Sequence, residues 1–201
     1  MTEEEKQEVI EIMKIPGNVR GAILQTLADY IRYKKKNEGV KMVEEKLREF
    51  GHPLKFEEIK PLSWYPESTT VLILFASKEV FNWADDDIFE MGNFTPKSSF
   101  IVTMFIKHFV SLKKTLEQSN IHWRKNLDFG EFEPTELNEK EKYIVLRIKG
   151  VYKFHRLLCI YHGGYFLRVA QFVIKSKKIT IEETKCMLKG APYHEYLVRW
   201  E

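Results

Sequence analysis

The sequence predicts an α+β domain in which helices come first and a small antiparallel sheet, crossed by one long helix, closes the chain. Three observations carry this prediction. Apolar residues recur at helical spacing through the first half of the chain; from Phe129 the period shortens to that of strands; and one apolar stretch, Phe166 to Ile174, interrupts the strand-like segments. With 201 residues the chain can bury a sizeable core as one domain. The expected organisation is a single unit, 1–201, with a helical extension at 1–50, a helical pocket region at 51–128 and the sheet at 129–201.

Taken in order, Thr2 with Glu5 three residues on forms a capping box that opens a helix through Met13. Ile15-Pro16-Gly17-Asn18 ends it, and Asn18 is expected to cap a second helix, Val19 to Lys35. Its stripe is Val19, Ala22, Ile23, Leu27, Tyr30 and Ile31. A third helix is expected after Gly39, with Val40, Val43 and Leu47 inward, stopping at Gly51. A loop holding Pro53, Pro61 and Pro66 leads into Glu67 to Phe81, which is apolar on most sides and belongs at the centre of the core. One of Asp85, Asp86 and Asp87 caps a helix running to Gly92, and Ser98 or Ser99 caps another through Phe109. Helical segments follow at Leu112–Gln118 and around Trp123. Glu131–Glu133 and Lys142–Lys149 are strands joined by a turn at Asn138–Lys140, and Lys178–Lys185 and Glu195–Trp200 are two more. Cys159 is placed just before the helix that starts near Phe166, with Gly163-Gly164 at its entry.

Composition narrows function mainly by exclusion. Arg20, Arg32, Lys41, Lys46 and Arg48 are interspersed with acids and the net charge is only +3, so the basic residues form a solvated face and not a nucleic-acid stripe. No apolar run approaches the ~20 residues of a membrane span, and the acidic start, Met1 to Lys6, lacks a signal peptide's charged and apolar regions. Two cysteines without a framework fit a reducing compartment, so a cytoplasmic location is expected. No Gly-x-Gly-x-x-Gly run offers a dinucleotide site, and a non-enzymatic role is expected.

Two groups of residues are candidates for function. Cys159, Glu183, Cys186 and His194 supply two thiolates, a carboxylate and an imidazole, a set suited to a closed tetrahedral zinc site. Residues three apart on a regular strand face opposite sides, so Glu183 and Cys186 can share an ion only across a bend or bulge, while Lys189-Gly190-Ala191-Pro192 supplies the turn that returns His194. The alternatives are two buried, inert thiols, a dithiol switch, or a Cys159 nucleophile flanked by His155 and His162. The second group is aromatic. Trp83, Phe105, Phe109, His108 and Trp123 could wall a pocket for a small apolar or aromatic ligand, with His108 and the Trp123 indole N–H as its polar points; plain core is the alternative.

The pattern Cys159-x-Tyr161-x-x-Gly164, then Glu183-x-x-Cys186-x-x-x-Gly190-x-x-x-His194, resembles the C-terminal signature of the 4-vinyl reductase (4VR) domain family, which carries Cys where this chain has His194. The resemblance implies a structural zinc on Cys159, Glu183, Cys186 and His194. It also implies an aromatic ligand held between helices by a His and a Trp. A signal is expected to pass either through self-association, as a homodimer, or through a separate signalling protein. Ser68 to Ala76 with Ile88 to Phe94 is similar, more faintly, to heme-based NO/O2 sensor domains, which need an axial histidine such as His108 or His122. The Tyr-x-Ser-x-Arg run that holds heme propionates in those domains is absent, so heme ranks behind zinc as the expected cofactor. The same layout occurs in TRAPP transport subunits, which leaves a ligand-free interaction scaffold as a further alternative.

Overall fold

The computed structural model describes residues 1–98, 112–150 and 154–201. Helix α1 (Glu3–Ile12) opens at the predicted box, Thr2 Oγ1 accepting from the Glu5 N–H at 3.1 Å and the Glu5 carboxylate from the Thr2 N–H at 2.6 Å. Lys46 Nζ donates to the same carboxylate at 2.6 Å, so the box also fastens α1 to the next helix.

Asn18 does not cap that helix. It lies in strand β1 (Asn18–Arg20), paired antiparallel with β2 (Trp64–Pro66), and its backbone N–H and Nδ2 both donate to Asp128, at 2.6 and 2.7 Å. A distant acid thus takes the groups that local capping would have used. Helix α2 (Gly21–Glu49) spans both predicted segments, and it breaks at Lys36, with φ 61° and ψ −168°, where the first of them is expected to end. It ends as expected before Gly51, at φ +80°.

Helix α3 (Glu67–Phe81) has the predicted bounds, and Val71 to Leu74 with Ala76 are buried in the core. Helix α4 (Asp85–Ser98) runs past Gly92, and Asp87 Oδ2 takes the Ala84 N–H at its start. Helix α5 (Leu112–Asn126) joins the two predicted helical pieces. The helix expected between α4 and α5, with Phe105, His108 and Phe109, lies outside the described residues.

Strands β3 (Glu131–Asn138), β4 (Tyr143–Lys149), β5 (Ile179–Lys185) and β6 (His194–Trp200) form one antiparallel sheet in the order β3-β4-β6-β5. Helix α6 (Arg156–Val173) packs against β5 and β6 and most extensively against α4. It begins earlier than predicted because His155 caps it, Nδ1 accepting the Leu157 N–H at 3.1 Å. Cys159 therefore sits within the first turns, and Gly163-Gly164 lies mid-helix and not at an entry. The glycines serve contact between helices. A Cβ on Gly164 would stand 1.9 Å from the Phe89 carbonyl oxygen, and one on Gly92 would stand 1.9 Å from that of Tyr161. Among the described residues no helix is long and apolar enough to cross a membrane.

Candidate functional site: a four-donor corner and a neighbouring cavity

The four polar residues read from the sequence do converge. Helix α6 brings Cys159, the end of β5 brings Glu183 and Cys186, and the start of β6 brings His194, and one donor atom from each lies within 4.8 Å of all the others. The bend that the strand period requires is present: the β5–β6 register shifts between Glu183 and Lys185, a bulge that turns Cys186 toward the side that Glu183 faces. Gly190, at φ +86°, completes the return to His194.

Cys159 Sγ is 4.0 Å from Cys186 Sγ and 3.6 Å from His194 Nδ1, which is itself 3.1 Å from Glu183 Oε1. Two thiolates bound tetrahedrally to one ion stand ~3.8 Å apart, and a thiolate and an imidazole ~3.6 Å, so these separations are those of a ligand set. His194 is fully buried, its ring 4.3 Å from that of Phe154, and its Nε2 has no partner among the described residues. Burial, then the Glu183 carboxylate, push the Cys159 thiol far above its usual range. Burial is the largest single influence on Glu183 and works to raise it, but His194, Cys186 and Cys159 together outweigh it and hold that carboxyl low. A cation among the four would reverse the pressure on the thiol. Of the histidines that flank Cys159 in sequence, His155 is engaged elsewhere, its Nδ1 holding the Leu157 N–H and its Nε2 meeting Glu8 at 2.8 Å; the imidazole beside the thiol is that of His194.

Farther along α6 is a cavity of about 150 Å³ between α2, α3, α5 and α6, with Thr95 of α4 and Phe132 of β3 in its wall. Trp123 lines it as expected, but its indole N–H is spent on the Phe129 carbonyl at 3.0 Å and offers a ligand only a face. Trp83 is not in the wall; it packs on Tyr30 and Phe81 in the core. His108, Phe105 and Phe109 lie outside the described residues. Sequence reasoning did not place Glu67 or Tyr161 in a pocket, and it named His122 only as a possible axial histidine and His162 only as a flank of Cys159; all four line the cavity. Burial holds His122 near a pKa of about 4 and His162 near about 3, so both imidazoles are neutral. His162 Nδ1 is buried without a partner, among the rings of Trp123, Phe154 and Phe166. A histidine on an apolar helical face gives no signal in sequence that separates it from ordinary core.

No family model matches the chain, and no curated protein matches it. Solved structures do. An H-NOX protein from S. oneidensis, solved in its Fe(II) ligation state, superposes with a TM-score of 0.70 at 20% identity over 90% of this chain and 96% of that one. An oxygen-binding H-NOX domain related to soluble guanylate cyclases, solved as its oxygen complex, gives 0.65 at 15% identity over 90% and 95%. The fold is that of the H-NOX proteins. The fainter of the two resemblances is thus the one the fold supports, and no match supports the 4VR resemblance.

The cofactor expectation is corrected by the same finding. Zinc was placed first and heme behind it, whereas the similar structures are described by heme, Fe(II), NO and oxygen, and zinc is named in none of them. The physical reason for the error is that the signature reports on one corner of the sheet and carries no information about what the helices enclose.

Heme itself does not fit the cavity as the described residues bound it. The two neutral imidazoles are donors of the kind that iron takes. However, about 150 Å³ is room for one benzene ring, below the ~300 Å³ at which cofactor-sized sites begin. Among the described residues neither lysine nor arginine lines it to meet propionates.

Proposed function

We propose that the chain is a small-molecule sensor domain on the H-NOX fold that takes a single-ring, largely apolar ligand directly into the cavity between α2, α5 and α6. The observation that carries this reading is the size and lining of that cavity, apolar and aromatic with a few polar groups. A second reading, a heme-based gas sensor, is favoured by the likeness to H-NOX structures, and the comparisons support it better than they support a zinc-bearing sensor. One experiment separates the two. The purified full chain is titrated with hemin and, separately, with toluene and indole, while absorbance and melting temperature are followed. Direct binding predicts a rise of several degrees with the rings and no stoichiometric heme band; a Soret band at one heme per chain, lost on replacing His122 or His108, would decide for the gas sensor.

The four-donor corner acts as a clamp in the same reading. Cys159, Glu183, Cys186 and His194 hold one divalent ion of the class that accepts thiolate and imidazole together, tying the start of α6 to the β5–β6 turn. Elemental mass spectrometry is expected to find one ion per chain, lost in Cys186→Ala together with more than about 3 kcal/mol of stability. A metal-free protein whose Cys186→Ala variant melts unchanged would overturn the clamp. Helix α6 carries both Cys159 and the cavity residues Tyr161, His162 and Phe166, so a ligand that shifts α6 alters the corner and the sheet together. The signal passes to a second copy of the chain or to a separate signalling protein.

A further inference from the structure

Glu67 is the first residue of α3 and is 1% exposed, yet among the described residues no cation pairs with it. Thr70 Oγ1 donates to its Oε2 at 3.0 Å, one hydrogen bond for a carboxyl that can make several. The carboxyl lines the cavity, as does His162 with its unpartnered Nδ1. Two buried polar groups with unused hydrogen-bonding capacity in one small apolar space are costly unless something meets them.

We propose that Glu67 fixes the polar atom of the ligand, so that the cavity selects uncharged single rings bearing a hydrogen-bond acceptor, such as an aryl aldehyde, over bare hydrocarbons and over carboxylates. This rests on the direct-binding reading above. The groups facing Glu67 make its carboxyl a donor at neutral pH: burial, opposed in part by Thr70 and reinforced by the Asp128 carboxylate, raises its pKa to about 8. Tyr161, whose hydroxyl is engaged with Thr95 at 2.8 Å, and the neutral His122 and His162 bring no charge to compete. An anionic ligand would meet no cation there and a protonated acid only as a neutral dipole, whereas a carbonyl oxygen accepts the acid proton.

The test is calorimetric titration of the full chain at pH 6.5 with toluene, benzaldehyde and benzoate. Benzaldehyde is expected to bind about tenfold more tightly than toluene, the ratio that one net neutral hydrogen bond supplies, and benzoate not measurably. Glu67→Leu should bring the ratio to about one while leaving toluene within a few-fold, and Glu67→Gln, whose amide still donates, should keep most of it. Above pH 8 the native preference should vanish as Glu67 ionises. A preference that survives Glu67→Leu, or no preference in the native chain while toluene binds, overturns this inference and leaves the direct-binding reading intact; binding by none of the rings removes both.

Discussion

Glu67→Gln is expected to make the protein more stable at pH 7.5, by on the order of 3 kcal/mol. The folded chain keeps the Glu67 proton up to about pH 8, while the unfolded chain releases it near the ordinary carboxyl value of 4.5. Unfolding at neutral pH therefore releases a proton, and stability falls as pH rises from 4.5 through 8. Glutamine has no proton to lose and removes that slope. His122 and His162 act with the opposite sign. Both stay neutral in the fold and take up protons on unfolding below about 6.5, so they lower stability as pH falls from there toward their depressed values. Carboxyls held low by their partners, Glu5 and Asp85 among them, matter only at lower pH still. Wild-type stability should peak near pH 6.5 and decline on both sides; the Gln variant should lose the alkaline decline alone. Urea unfolding at pH 5.5, 6.5 and 8 measures this, and a wild type equally stable at 6.5 and 8 would contradict the burial of an uncompensated acid.

The second large effect concerns the contact between α4 and α6. Gly164→Ala places a methyl 1.9 Å from the Phe89 carbonyl oxygen and 2.8 Å from the Asn93 nitrogen, and both are backbone atoms of a neighbouring helix. No rotamer change relieves such a clash, so the helices must separate, with a loss of about 3 kcal/mol or more. Gly92→Ala, against the Tyr161 carbonyl oxygen, should behave alike. The adjacent Gly163→Ala is the control: its methyl comes nearest to side chains and not backbone, the Phe89 ring at 3.2 Å and the Tyr196 ring at 3.9 Å. Alanine's better helix propensity, about 1 kcal/mol over glycine, offsets most of the cost of those contacts. Chemical denaturation of the three variants should give two large losses and one near zero. Equal behaviour of Gly163→Ala and Gly164→Ala would show that the helices do not approach as closely as this geometry requires.

Legibility in the sequence followed the range of each signal. The capping box at Thr2 and Glu5, the bounds of α3, the stop at Gly51 and strands β4, β5 and β6 are written within a turn or a few residues and match the structure closely, whereas β3 runs on past Glu133 to Asn138. Asn18 and the start of α6 were misplaced because their deciding partners are remote or unusual: Asp128 claims Asn18, and a histidine serves as the cap of α6. Gly163-Gly164 looks like a helix entry by itself, and only the packing of α4 makes it a contact surface.

The sequence by itself determined the α+β layout and the four donors whose spacing brings them to one corner, because periodicity, caps and turn residues act locally. The tertiary structure decided that a bulge between Glu183 and Lys185 joins those donors, that Trp123 keeps its N–H for Phe129, and that Glu67 and His162 face a small cavity. Burial, pKa and the space left between helices arise from contacts among segments far apart in the chain, and no local pattern encodes them.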